Sequence, residues 1–334
     1  MRTKIPTGII LSVLVLTAFF FIKNQCNPKK TSLTGNKVGA RSDFASKAWI
    51  APDSNLIPAT KEGDLIRYGR KLITHTSIYL GPKGTVAHVS NGMNCQNCHL
   101  FAGTKSFGNN FSMVASGYPR FRPRSGQIES IEFRVNDCLE RSLNGKRIDS
   151  LSNEMRAFVA YFNWIGKDVK KNKKIIDASV EPLPFMDRAA NPGNGKILYT
   201  AKCQSCHGSS GQGIIKPDSS EYIYPPLWGS NSYNIGAGQH RLIKLAGFLK
   251  NNMPFGSTYQ QPQLTNDQAW DVAAYICSKP RPFKDVSKDW PKMNTKPVDY
   301  PFGPYSDRFS EKQHQLGPFE PIRKADSLYA RLKK

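Results

Sequence analysis

The chain has 334 residues, 39% of them hydrophobic, with five Trp and 23 Pro; this is enough for two small domains with long irregular connections and excludes a low-complexity chain. Its formal net charge of +22 attracts anions, whether nucleic acid, anionic lipid, acidic proteins or small anionic substrates. Nucleic acid is not the expected partner, because the basic residues are scattered and the tightest cluster, Lys170-Lys171-Asn172-Lys173-Lys174, reads as a solvated linker.

Residues 1–4 are positive and Ile5 to Ile22 form a largely apolar run of 18 residues, so 1–22 reads as a signal anchor or signal peptide. The flank Lys23-Asn24-Gln25-Cys26 lacks a small-x-small cleavage site, and bulky polar residues ahead of Cys26 argue against a lipoprotein anchor. We expect an uncleaved membrane anchor on the periplasmic side, with a soluble periplasmic form after cleavage as the alternative. Residues 23–60 read as a polar tether. A helix is expected from Asp64 to Tyr79, with Leu65, Ile66, Tyr68, Leu72 and Ile73 at three-and-four spacing, stopped by Gly81-Pro82-Lys83-Gly84. Cys95-Gln96-Asn97-Cys98-His99 follows, then a long polar loop from Phe101 to about Asp149. Ser152 caps a helix running to Lys167, with Met155, Phe158, Val159 and Phe162 on one face. Lys170 to about Arg188 is linker.

The plan then repeats. A short helix from Lys196 to Lys202 runs into Cys203-Gln204-Ser205-Cys206-His207; another loop follows, and Thr265 with Gln268 forms a capping box before a closing helix. The two closing helices read alike, Phe158-Val159-Ala160-Tyr161 against Val272-Ala273-Ala274-Tyr275, an internal duplication. Residues 281–334 are Pro-rich without strong periodicity and read as a strap over the surface.

Two cysteines separated by two residues can bond the two vinyl groups of one haem, while the adjacent His offers the proximal ligand. A zinc site needs a second Cys pair nearby, and here the pairs stand 108 residues apart. A redox dithiol has no need of the following His. The expectation is a mainly α chain with two cytochrome c-like domains, 61–180 and 185–280. Each carries one covalent haem c, attached through Cys95 and Cys98 or through Cys203 and Cys206, with His99 and His207 as proximal ligands. Cys26, Cys138 and Cys277 remain, and in an exported protein a Cys138–Cys277 disulfide is the plain alternative.

The second axial ligand decides what each haem does. In the second domain Met253 lies 46 residues after His207, in the rigid loop Asn252-Met253-Pro254-Phe255-Gly256; Lys250 and His240 are the alternatives. The first domain has no Met or His in that window. Cys138 fits it, 39 residues after His99, and His75 and His88 stand before the motif. Thiolate ligation gives a strongly donating haem and points to chemistry at the iron. Arg120, Arg122, Arg124, Arg134 and Arg141 crowd the same segment, with Ser142 one helical turn beyond Cys138. Guanidinium forks suit oxyanions.

At this point the chain resembles the thiosulfate dehydrogenases, diheme cytochromes that couple two thiosulfates into tetrathionate, some members running the reverse reaction. The resemblance rests on Tyr79 to Gly84, Met93 to Gly103, Tyr118 to Arg124 and above all Arg134 to Gly145, and covers about residues 60–280. It implies His99/Cys138 ligation at an active-site haem and His207/Met253 ligation at an electron-transfer haem. It also implies a substrate pocket of Arg124, Arg134 and Ser142, with electrons leaving to an external partner such as a soluble cytochrome c. Some members carry Lys immediately before the second-haem Met, where this chain has Asn252. A plain diheme shuttle would have inert ligation at both haems. A diheme peroxidase has no use for the arginines, and a sulfur-oxidation cytochrome with a haem-ligating Cys needs a partner subunit.

Overall fold

A computed structural model describes residues 48–332; the expected anchor, Cys26 and residues 23–47 of the expected tether lie outside the described residues. Among the described residues no helix is long and apolar enough to cross a membrane. The structure is mainly helical and has two hydrophobic cores, one in each half.

The first half is built on α1 (Lys61–Thr74), α2 (Ile131–Arg141) and α3 (Asn153–Ile165). The Thr60 hydroxyl caps α1 by accepting from the Gly63 N–H, and Glu62 and Asp64 sit in the first turn, where acidic side chains favour the helix dipole. The helix ends at Thr74, earlier than its apolar pattern predicts, and restarts as a short turn over Thr76–Leu80. α1 crosses α3 at Gly69. A Cβ there would lie 2.0 Å from the Ala157 carbonyl oxygen and 2.8 Å from the Tyr161 Cβ, so only glycine allows the two backbones to approach this closely.

The second half repeats the device with α4 (Pro192–Lys202), α5 (Leu242–Asn252) and α6 (Asn266–Cys277). α4 crosses α6 at Gly195, where a Cβ would lie 2.0 Å from the Asp271 carbonyl oxygen and 2.8 Å from the Tyr275 Cβ. The capping box expected at Thr265 and Gln268 is formed. The internal duplication therefore extends from sequence to the atoms of the helix crossing.

Two further expectations change. The segment Phe101–Asp149 is not all loop. It holds an antiparallel hairpin, β1 (Arg120–Arg122) with β2 (Gln127–Glu129), and then α2, capped by the Ser130 hydroxyl. Its apolar stripe of Ile131, Val135 and Leu139 is narrow and was hidden by the charged residues between. The tail is also more than a strap. Its first part runs irregularly, tied by the Gly229 and Ile235 N–H groups donating to Pro280 and Pro282 carbonyls, 2.8 and 3.1 Å. Helices follow over Glu311–Leu316 and α7 (Glu320–Leu332), and Phe319 and Ile322 are buried in the second core.

A second hairpin, β3 (Ile214–Ile215) with β4 (Tyr222–Tyr224), leans on the first half. Glu221 accepts from Asn94 Nδ2 at 3.0 Å and from Lys216 Nζ at 2.6 Å, with His75 Nδ1 at 3.0 Å. The Ser77 hydroxyl donates to the Ser220 carbonyl at 2.6 Å.

Candidate active site

A cavity in the first half is lined by Cys95, Cys98 and His99 together with Arg134, Cys138 and Ser142. These last three stand four residues apart, so α2 and its C-cap present them as one stripe. The cavity and its mouth enclose about 990 Å³ of atom-free space, part of it open to solvent. Ile73, Met93, Phe111, Leu139, Phe158 and Phe162 give it apolar walls.

The donor chemistry fits a haem c. His99 Nδ1 stands 2.6 Å from the Asn109 carbonyl oxygen. A carbonyl can only accept, so Nδ1 carries the proton and Nε2 is left as a free lone pair, the arrangement a metal-binding imidazole needs. Phe111 stacks on the ring at 4.5 Å. Burial pushes His99 down to about 4, against the opposing pull of the Asn109 bond, and the Arg134 charge lowers it further; the imidazole is therefore neutral. Burial pushes the Cys95 and Cys98 thiols up to about 12, a setting for uncharged thioethers rather than for the thiolates of a zinc site or a reactive dithiol.

Behind this wall three guanidinium groups converge on one carboxylate. Arg124 Nη2 and Arg134 Nη1 both donate to Asp137 Oδ2, and Arg141 Nε donates to Asp137 Oδ1 at 2.7 Å. Burial alone would raise the Asp137 carboxyl; Arg134, Arg124 and Arg141 win and hold it below the ordinary carboxylate range. Arg141 is also held bidentately by Asp289, both contacts 2.7 Å, and the Trp290 N–H donates to the Arg124 carbonyl at 2.8 Å. Arg134 is pushed up mainly by its charge interaction with Cys138, against burial and with help from Asp137. Arg124 is pulled down by burial, which the Asp137 charge offsets only in part, with Arg134 and Arg141 adding repulsion. Arg124, Arg134 and Arg141 set against the carboxylates of Asp137 and Asp289 leave one net positive charge near Cys138, which suits anions.

The expected residues thus sort clearly. Cys95, Cys98, His99, Cys138, Arg134 and Ser142 come together on one cavity, and Arg124 joins them through Asp137. Arg120 and Arg122 instead sit on the β1–β2 hairpin, over the Tyr118 ring at 5.2 Å and 3.9 Å from Glu129 respectively. The alternative ligands are engaged elsewhere: His75 with Glu221, and His88 Nε2 with the Gly84 carbonyl at 3.1 Å. A Cys138–Cys277 disulfide is not formed; Cys277 is in the second half, its thiol donating to the His240 carbonyl at 3.5 Å. Two residues went unnoticed in the sequence. Asp137 had a signal, being three residues after Arg134 and four before Arg141, the spacing of helical ion pairs. Asp289, far along the tail, had none.

The second motif repeats the imidazole geometry. His207 Nδ1 stands 2.8 Å from the Pro225 carbonyl oxygen, again freeing Nε2, and burial lowers the ring's pKa. Cys203 and Met253 pack against the second core, and Met253 is the C-cap of α5. Lys250 Nζ donates to the Leu264 carbonyl at 2.5 Å. His240 lies with its ring nitrogens 3.2 and 3.3 Å from the Ile235 and Cys277 carbonyls. Asn252 Nδ2 donates to the carbonyls of Phe248 and, across the halves, of Phe107.

Comparison with known proteins agrees with this layout. Residues 85–170 match the family described as SoxA/TsdA, cytochrome c domain, and residues 193–279 match the cytochrome c family. The chain is 35% identical to a thiosulfate dehydrogenase of Psychrobacter arcticus over 269 residues, 79% of this chain and 78% of that one. It is 33% identical to the thiosulfate dehydrogenase of Allochromatium vinosum, covering 72% of this chain and 88% of that one. The solved thiosulfate dehydrogenase (TsdBA) of Marichromatium purpuratum, in its as-isolated form, superposes with a TM-score of 0.66 at 29% identity, over 73% of this chain and 52% of that longer chain. With two cytochrome c domains and relatives this close, the chain belongs to the thiosulfate dehydrogenase family, oxidoreductases acting on thiosulfate, and carries two covalently bound haem c.

Proposed function

We propose that the enzyme joins two thiosulfates into tetrathionate beside Cys138, and that the same site runs the reverse reaction when electrons are supplied. The haems, held at Cys95-Cys98-His99 with Cys138 and at Cys203-Cys206-His207 with Met253, supply two one-electron acceptors. The observation that carries this reading is that the Arg134–Cys138–Ser142 stripe lines the same cavity as Cys95, Cys98 and His99.

The chemistry of the chain's own groups follows. The Cys138 thiolate bonds to the outer sulfur of one thiosulfate, giving Cys–S–S–SO3⁻, and two electrons leave. The outer sulfur of a second thiosulfate attacks that bond, releases the Cys138 thiolate and forms ⁻O3S–S–S–SO3⁻. Two dianions must meet, and the positive excess around Arg134 and Arg124 offsets their repulsion, most of all in the transition state. Ser142 supplies a hydroxyl to the sulfonate oxygens. The electrons pass on to an external acceptor such as a soluble cytochrome c, which the basic surface attracts if the partner is acidic. We further propose that the enzyme works on the periplasmic side of the cytoplasmic membrane, held there by residues 5–22; the exported pattern of the N-terminus supports this.

The test is stoichiometric. With ferricyanide as acceptor, thiosulfate as sole substrate should give one tetrathionate for every two electrons removed, with no sulfite or sulfate. Release of sulfite or sulfate as the main product would overturn the coupling.

A further inference from the structure

Between the two halves lies a pair of polar side chains that the proposed reaction does not use. Tyr233 is 4% exposed and its hydroxyl meets no acceptor. The Arg281 guanidinium covers the Tyr233 ring, 4.3 Å from its centre, and lies against the hydroxyl. Its Nε is likewise buried without a hydrogen bond. Its Nη atoms donate to two neutral carbonyls, Leu227 at 3.4 Å and Ile276 at 2.8 Å. Among the described residues no carboxylate pairs with it. Leaving buried donors unmet costs about 1–3 kcal/mol each, more for a charged one. What the site lacks is an acceptor, and for the guanidinium a negative one.

Position identifies the acceptor. Leu227 stands two residues after Pro225, whose carbonyl orients His207, and Ile276 lies in α6 against the second core. Both anchors of Arg281 therefore belong to the second haem's surroundings. Tyr233 also lies within electrostatic reach of the Cys98 sulfur. In a haem c the thioethers and the two propionates occupy opposite edges of the ring, so a group beside Cys98 is remote from the first haem's propionates. We propose that Tyr233 and Arg281 receive a propionate carboxylate of the second haem, at the edge that faces the first motif. This rests on the second haem being seated at Cys203, Cys206 and His207. The pair neutralises the carboxylate and so keeps the reduced form of that haem accessible to electrons arriving from the first. Loss of either donor leaves the negative charge uncompensated and favours the ferric state.

The experiment uses the full chain with both haems, in Arg281→Gln, Arg281→Lys and Tyr233→Phe variants, each titrated potentiometrically. The second haem is assigned by comparison with a Cys203→Ala, Cys206→Ala chain that carries only the first. Arg281→Gln should shift the second haem's reduction equilibrium about tenfold toward the oxidised form, 59 mV lower for one electron. Tyr233→Phe, which keeps the ring under the guanidinium, should move it the same way by less, and Arg281→Lys should recover part of the loss. The first haem should hold its potential. Unchanged second-haem potentials in both Arg281→Gln and Tyr233→Phe, or equal shifts in the two haems, would overturn the proposal. The axial-ligand reading fails separately, if Met253→Gly leaves the second haem's spectrum unaltered.

Discussion

The two halves of the molecule share a scaffold and differ in what they place on it. Each crosses a helix over its closing helix at a glycine, Gly69 on Ala157 and Gly195 on Asp271, and each ties a proximal imidazole to a backbone carbonyl. The difference lies in the helix between motif and closing helix. In the second half that helix, α5, is almost wholly buried from Leu245 to Asn252 and ends on Met253. In the first half, α2 buries only Asn136, Asp137 and Leu139 and turns Arg134, Cys138 and Ser142 to the cavity. On the proposed assignment, the half that only passes electrons seats its haem by a buried helix, and the half that handles an anion adds an ion-pair cluster beside a cysteine sulfur.

Removing the sulfur should erase the difference between the halves. Cys138→Ala should abolish thiosulfate coupling with both haems still attached, because attachment needs only the two motifs. Turnover near the wild-type rate, measured with ferricyanide, would break the comparison. It would leave the first half another electron seat.

Separating the cluster's chemical part from its structural part is the next test. Arg134→Ala should slow turnover and raise the thiosulfate requirement together, by about tenfold to a hundredfold, the worth of a charge-assisted contact of about 1.5–3 kcal/mol. Asp137→Asn should act first on stability, because it leaves Arg124 and Arg134 around a neutral amide, while Arg141 keeps its Asp289 partner; breaking a buried pair costs about 3–5 kcal/mol. The sign of its pH dependence is fixed. The Asp137 carboxyl is depressed in the fold, so its contribution is complete above the unfolded value, about 3.9, and drains away as the pH falls below it. Acid titration of thermal stability should show that loss in the wild type and not in Asp137→Asn.

The shared scaffold has its own test. Gly69→Ala and Gly195→Ala both push a methyl group onto a carbonyl oxygen, and overpacking of this kind costs about 1–3 kcal/mol. Both should lower the unfolding temperature by similar amounts, each disturbing the absorption of its own haem. A tolerated alanine at one glycine and not at the other would show that the crossings are not equivalent. The smallest effect is reserved for Lys170→Ala in the exposed linker, which should alter little beyond the salt dependence of the rate.

Much of this was legible in the sequence, and the exceptions have physical causes. The haem motifs, the caps at Ser152 and Thr265 and the duplicated closing helices are local signals, so they carried over directly. Distance from the motif histidines singled out Cys138, which lines the cavity, and Met253, which packs against the second core. The α2 helix was missed because its apolar stripe is narrow and most of the residues between are charged or polar, several engaged in ion pairs and hydrogen bonds that its own sequence only partly signals. The early end of α1 reflects the Asn94 side chain accepting from the Ser77 N–H and the Thr76 hydroxyl accepting from the Cys95 N–H, at 2.8 and 2.9 Å; these contacts span some 17–19 residues. The clamp of Asp289 on Arg141 crosses 148 residues, and no periodicity in a Pro-rich tail announces it. Phe319 and Ile322 enter the second core from the same tail for the same reason.

The central claim, that Cys138 carries sulfur during coupling, is open to direct mass measurement. The oxidised full-length enzyme is mixed with a single equivalent of thiosulfate, quenched in acid and digested without reductant. The Cys138 peptide should then carry one added S–SO3 group, which disappears on adding a second equivalent, while the Cys277 peptide stays unmodified. An unmodified Cys138 peptide under conditions in which the haems have accepted both electrons would contradict the account.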